Sequence, residues 1–256
     1  MSEPSCCSGS PYRPSITGLI LGSAWHPGGA EASAKLASMM KAGREEMFLD
    51  LGCGIGTTSR LLAEQFGCRV VGIDASPSNA GDAMRRTVDS NGISFLAGDG
   101  EHVPLAEETF DGAMMECVLS TFRDKPAAAA ELSRVLKSNG RLGVSDVAVE
   151  GELPEELRSP LTDVFCVGRA LSVRGYLEVL ERGGFEVQAV EKMEQETLDF
   201  LGEVRRQIFL AKMLAGVGKL GLDQEDLDYA RHLLALTVTA VEEGKLGYVA
   251  ITARKC

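Results

Sequence analysis

From Met47 to Val147, short apolar runs alternate with stretches in which apolar residues recur every three or four positions. Met47 to Leu51 is a five-residue apolar run that carries Asp50 and ends before Gly52. Thr57 to Phe66 has helical spacing, and Arg69 to Ile73 is a Val/Ile strand that stops at Asp74. Ser76-Pro77 predicts the start of the next helix, with Ser as N-cap and Pro in its first turn. Strands are expected at Ile93–Ala97, Phe110–Met115 and Arg141–Val147, with a helix over Ala127–Leu136 closed by Asn139-Gly140. Strands of about five residues alternating with helices imply parallel βαβ units and an α/β, doubly wound, Rossmann-like sheet.

The last third breaks that rhythm. Phe185–Val190 and Tyr248–Thr252 read as strands. Between them lie two helical stripes, one through Leu201, Val204, Ile208, Ala211 and Ala215, the other through Leu227, Ala230, Leu234 and Val241 after a plausible N-cap at Asp223. This is a helical insertion near the C-terminus, a hairpin at about residues 196–243 between the last two strands. It either packs on the sheet or serves as a lid or homodimer contact. Residues 1–27 are rich in Ser, Pro and Gly and are expected to form an N-terminal arm or lid, with 28–256 as one domain. There is no internal repeat and no low-complexity tract.

A 45% hydrophobic, 25% charged chain of 256 residues can bury a sizeable core and is not a disordered or collagen-like sequence. Thirty-seven acids against 26 bases give a net charge of -11, which argues against nucleic-acid or acidic-membrane partners. The opening MSEPSCCSGS lacks the basic and apolar regions of a secretory leader, and Ile16–Trp25 is too short and glycine-rich to span a bilayer. The expected compartment is the cytoplasm. Seven cysteines are spread over the chain without a CxxC, so no zinc ribbon or dithiol redox motif is expected, and no metal site. In a reducing compartment these thiols are buried, catalytic or metal-seeking rather than bridged.

Asp50-Leu51-Gly52-Cys53-Gly54-Ile55-Gly56 follows a predicted strand and opens a predicted helix. Glycines there let the chain turn tightly and approach a ligand. The spacing is GxGxG, not the GxGxxG of dinucleotide folds, and an acid sits two residues before the first glycine. That acid suits a cationic group, such as an amino acid's ammonium. Asp74 closes the second strand, where a carboxylate can accept ribose hydroxyl protons, and Asp99 follows the third, where it can accept an adenine amino proton. Capping of the next turn accounts for any one of these acids. The three together with the glycine loop point to one crevice at the carboxyl ends of three adjacent strands.

LDLGCGIG, GIDAS, GDGEHVPLAEETFD and RVLKSNGRLGVSD, in that order over about residues 46–150, resemble the class I S-adenosylmethionine-dependent methyltransferases. The resemblance implies a seven-stranded sheet with its last strand antiparallel. It implies S-adenosylmethionine as cofactor, with Asp50, Gly52, Gly54 and Gly56 at the methionine end and Asp74 on the ribose. It also implies that Ala75 and Gly100 line the adenine slot, that Asp99 meets the adenine edge, and that Glu116 lies near the methyl sulfonium.

Glu116 to Lys125, the Leu153-Pro154-Glu155-Glu156-Leu157-Arg158 segment and Cys166-Val167-Gly168-Arg169-Ala170-Leu171 resemble the arsenite methyltransferases over about residues 110–192. In that family, cysteines at the positions of Cys117 and Cys166 bind trivalent arsenic. Family members usually supply further upstream thiols, for which Cys6 and Cys7 are the candidates here. Trivalent arsenic is soft, is held by thiolates, and keeps a lone pair able to attack a methyl carbon without a general base. The protein's task is then to place it about 3–3.5 Å from that carbon. Two other functions stay open. One is an O-, N- or C-methyltransferase of the quinone-biosynthesis type, which needs a base such as Glu116 or His26. The other is a non-catalytic sensor of cofactor or metal. Cys53 and Cys68 read as packed residues, and His26, beside Pro27-Gly28-Gly29, as a turn residue or as part of a closing segment.

Overall fold

The computed structural model describes residues 26–87, 92–158, 166–216 and 224–256. The predicted Asp223 cap, the Cys6-Cys7 pair and nearly all of the N-terminal arm lie outside these residues. Seven strands form one sheet: β1 Met47–Leu51, β2 Arg69–Asp74, β3 Ile93–Ala97, β4 Phe110–Glu116, β5 Leu136–Val149, β6 Phe185–Lys192 and β7 Leu246–Lys255. Their order is β3-β2-β1-β4-β5-β7-β6. The first five are parallel to one another, and β7 runs antiparallel to both β5 and β6. The expected doubly wound sheet with an antiparallel last strand is therefore present.

Among the described residues seven α-helices accompany it: α1 Gly29–Met39, α2 Thr57–Phe66, α3 Pro77–Arg86, α4 Lys125–Val135, α5 Val173–Arg182, α6 Glu194–Gly216 and α7 Gln224–Glu242. The period of two along a strand sorts the sheet's side chains between two faces. Leu49, Leu51, Ala113 and Met115 join Leu132, Tyr176 and Leu180 on the side of α4 and α5. Phe48, Met114, Tyr248 and Ala250 join Leu36, Ala37 and Leu62 on the side of α1 and α2. Burial of each large side chain here is worth roughly 1.5–3 kcal/mol, so the sheet centre is the rigid base of the molecule. The same alternation sends Asp50 and Glu116, each two positions from an α1/α2-facing residue, towards α1 and α2.

Local chemistry sets the helix starts. Ser76 caps α3, its hydroxyl accepting the Asn79 amide at 3.3 Å, as Ser76-Pro77 predicts. Asp124 caps α4 through the Ala127 amide at 2.9 Å. One expected boundary is wrong. The α4 helix ends at Val135, and Leu136 is already extended and paired with Phe110 in the sheet. Asn139-Gly140 is not the helix stop. Asn139 sits at φ 63° inside β5, where the β4–β5 register shifts. An irregularity in a strand uses the same left-handed residue that a helix end would.

The α6 and α7 helices form the expected hairpin between β6 and β7, joined through Leu201, Val204, Ile208 and Leu234. The α7 helix also packs through Leu233 and Ala240 on Leu153, Leu157, Val167 and Leu246. That contact holds Val167, the neighbour of Cys166.

Candidate active site

The carboxyl ends of β1, β2 and β4 and the loop after β3 carry the predicted residues. Asp50 is 4% exposed and its Oδ2 accepts the Ser59 hydroxyl of α2 at 2.5 Å. Burial pushes its carboxyl up to about 7. The Ser59 hydrogen bond opposes that, and the negative field of Glu116 reinforces it.

The loop after β1 is pinned to β2 by the Gly52 and Cys53 amides, which donate to the Ile73 carbonyl at 2.7 and 3.0 Å. Gly52 has φ 77°, and a Cβ there would lie 2.2 Å from Val118 Cγ2, so only glycine fits. Gly54 differs. It too has positive φ, 53°, but nothing stands within 4 Å of where a Cβ would be. Its backbone therefore borders open space at the mouth of the crevice. Gly56 is the N-cap of α2.

Asp74 ties this loop in place. Its Oδ2 accepts the Gly54 amide at 2.9 Å, and its Oδ1 accepts the Ser76 amide at 2.8 Å and the Asn79 side-chain amide at 3.2 Å. These bonds take three of the roughly four acceptor positions of a carboxylate. Ala75 is exposed beside it. Asp99 is exposed after β3, capping its own turn through the Glu101 amide at 2.9 Å. Gly100 is buried, and the position of its missing Cβ is filled by the Phe122 ring at 2.5 Å.

Glu116, at the end of β4, has a side chain only 6% exposed. The Ser33 hydroxyl of α1 donates between its two oxygens at 3.0 and 2.9 Å, and Thr58 Oγ1 of α2 donates to Oε2 at 2.6 Å. His26 Nε2 stands 3.9 Å from the same oxygen. Glu116 and Asp50 are thus two carboxyls within electrostatic reach of each other, each held by hydroxyls. Ser33, Thr58 and Ser59 were not singled out in the sequence. The Thr57-Thr58-Ser59 run directly after the glycine loop is the signal that marks the last two.

Cys117 and Cys166, 49 positions apart, come together. The Cys166 thiol donates to the Cys117 carbonyl at 3.3 Å. Interaction with the Cys117 side chain, then burial, pushes the Cys166 thiol well up. Both residues have left-handed backbones, at φ 55° and 61°. Such strain in non-glycine residues costs about 1–2 kcal/mol each and persists where the surroundings enforce it. For Cys117, the enforcing contact includes its amide on the Ser145 carbonyl at 2.8 Å. Its thiol meets Tyr248 Oη at 3.6 Å, and Tyr248 donates to Ser145 Oγ at 2.9 Å. Tyr248 was not foreseen.

Cys53 is buried, its thiol pushed well up by burial, and Cys68 is buried with its thiol pushed up to about 11. Both behave as packing residues. Among the described residues no group of three His, Cys, Asp or Glu side chains is arranged to hold a metal ion. No described helix is long and apolar enough to cross a membrane.

Open space beside Gly54 admits close backbone approach, and the combined negative field of Asp50 and Glu116 favours a positive charge near them.

A sequence profile described as "Methyltransferase domain" matches residues 49–144. An arsenite methyltransferase of Halobacterium salinarum is 28% identical over 157 residues, covering 59% of this chain and 40% of that protein. A demethylmenaquinone methyltransferase of Thermobifida fusca is 36% identical over 103 residues, 40% of this chain and 43% of that one. The chain spans about half the length of the first curated relatives it matches, at 40% and 56%. Among solved structures, a Haemonchus contortus phosphoethanolamine N-methyltransferase 2 in complex with S-adenosyl-L-methionine superposes with a TM-score of 0.78. That match covers 93% of this chain and 56% of the other at 20% identity, and it speaks for the fold.

Proposed function

We propose that this chain is a class I S-adenosylmethionine-dependent methyltransferase, as its methyltransferase-domain match and its relatives support, and that it methylates trivalent arsenic held by Cys117 and Cys166. The observation that carries this reading is the approach of the Cys166 thiol to the carbonyl and side chain of Cys117, the residue that follows Glu116.

S-adenosylmethionine, when bound, supplies a methyl group on a sulfonium sulfur. Asp50 and Glu116 provide the negative environment for its positive groups, and the turn at Gly52 and Gly54 lets the backbone lie against it. Asp74 holds the Gly54 amide in that turn and keeps about one acceptor position for the ribose. Ala75, Asp99 and Gly100 form the adenine side.

The acceptor's chemistry explains why thiols are used. Arsenous acid condenses with two thiols. Two As–O bonds break, two As–S bonds form, and two waters leave, so thiols that hold their protons are suitable partners. Arsenic keeps its lone pair, and no base has to strip a proton before methyl transfer. The protein contributes position, which for well-oriented groups is worth about 7–11 kcal/mol of barrier. Cys6 and Cys7 are the candidates for a further thiol.

The test is transfer of labelled methyl from S-adenosylmethionine to arsenite by the full chain, by Cys117→Ser and by Cys166→Ser. The reading expects methylated arsenic from the wild type and loss of at least 100-fold in each variant, on the order expected when an acceptor is misplaced. Undiminished transfer in both variants overturns it.

A second reading has one observation of its own. His26 Nδ1 faces the Pro27 carbonyl at 3.1 Å while Nε2 faces Glu116. With the proton on Nδ1, Nε2 has the lone pair of a general base for a protic small-molecule acceptor. His26→Ala separates the two readings, because it removes that base and spares both thiols.

A further inference from the structure

We propose that Tyr248 is a positioning residue that controls the Cys117 sulfur, by turning its hydroxyl from Ser145 to that sulfur when the thiol gives up its hydrogen. This rests on the reading of Cys117 as an arsenic ligand.

Tyr248 lies on β7 opposite Val147 of β5, 3% exposed, and its ring stacks on His26 with centroids 6.5 Å apart. Its oxygen does two things. It accepts the Cys117 S–H at 3.6 Å and donates its own hydrogen to Ser145 Oγ at 2.9 Å. Ser145 therefore holds Cys117 twice, through its carbonyl on the Cys117 amide and through its hydroxyl on Tyr248. The ring is buried in the core on the α1 side and stacked on His26, so the phenol's remaining freedom is rotation of its O–H.

In the resting state the thiol is the donor and Tyr248 the acceptor. When Cys117 condenses with an As–OH group, the S–As bond forms and the As–O bond breaks. The thiol hydrogen leaves with the hydroxide as water. The sulfur then has no hydrogen to give, and the phenolic O–H is the donor within reach. Burial keeps the Tyr248 proton in place, pushing its ionisation well above the ordinary tyrosine range. Tyr248 thus stays a neutral donor. The titratable groups that interact with the Cys117 side chain are Tyr248 from β7, Cys166 from the segment before α5 and Tyr176 from α5, and Glu116 acts on Tyr248.

The test uses iodoacetamide on the full chain, with Cys117 followed by peptide mass spectrometry. Alkylation forms an S–C bond as iodide leaves and the thiol proton goes to solvent, so it reports the sulfur without any arsenic chemistry. Tyr248→Phe removes the donor to the forming thiolate, and the rate at Cys117 is expected to fall about tenfold or more. Ser145→Ala frees the Tyr248 O–H from its competing acceptor, and the rate is expected to rise roughly threefold. The pH–rate profiles should move in opposite directions, upward for Tyr248→Phe and downward for Ser145→Ala. Loosened packing would shift both variants the same way, so rates that change in the same direction, or not at all, overturn the proposal. Opposite shifts accompanied by no arsenite methylation in the wild type uphold the role of Tyr248 and reject the arsenic reading.

Discussion

Asp50→Asn is expected to make the protein more stable and less functional, and the stability gain should depend on pH. The Asp50 carboxyl moves from 3.8 to about 7 on folding, chiefly through burial. A displacement of that size is equivalent to roughly 4 kcal/mol against the charged form. At and below pH 4 the folded state keeps the proton, and Asn, an uncharged isostere, changes little. As pH rises from about 4 to about 7 the unfolded chain loses its proton while the folded chain retains it, so wild-type stability falls relative to the variant. Above pH 7 the difference levels off. The amide oxygen can still accept the Ser59 hydroxyl, so that bond is not forfeited. Urea unfolding of cofactor-free protein should show Asp50→Asn more stable by about 2–4 kcal/mol at pH 8 and equal to wild type near pH 4. Calorimetry at pH 8 should show weaker S-adenosylmethionine binding by the variant. A stability difference that is the same at both pH values, or a variant less stable at pH 8, would refute the view that Asp50 is a buried acid held for a cation.

Asp74→Ala releases the Gly54 amide from its carboxylate and should weaken cofactor binding by about 1–3 kcal/mol, read by calorimetry. Gly52→Ala forces a methyl against Val118 at positive φ and should lower unfolding free energy by about 2 kcal/mol or more. Gly54→Ala meets no neighbour, so it should cost stability only the left-handed penalty of about 1–2 kcal/mol while cofactor affinity drops sharply. Tyr176→Phe strands the Val147 carbonyl, now bonded at 2.9 Å in a buried site, and should cost about 1–3 kcal/mol in a denaturant melt.

The strand–helix alternation was readable because each element pairs its own periodicity with local punctuation. Ser76 with Pro77 is one instance, and the turn after Leu51 is another. The strand-end placement of Asp50 and Asp74 was readable because each lies at the end of an apolar run next to a turn signal. Leu136 was misassigned to a helix because its apolar spacing fits either state, and only pairing with Phe110 decides it. The hydroxyls of Ser33 and Thr58 on Glu116 and the phenol of Tyr248 on Cys117 were not legible. Their partners lie 58 to 131 positions away, and local pattern does not say which polar side chain of a helix or strand meets which. Cys117 and Cys166 were linked through a family resemblance. Val167, next to Cys166, packs among Leu153, Leu157 and Leu233, a long-range arrangement that no short-range rule encodes.

The central claim concerns what those two sulfurs hold. X-ray absorption at the arsenic edge, on the full chain incubated with arsenite, reads the neighbours of arsenic directly. Sulfur neighbours in the wild type, reduced in both Cys117→Ser and Cys166→Ser, are the expected result. Arsenic surrounded by oxygen alone, or a sulfur count unchanged in both variants, would contradict it.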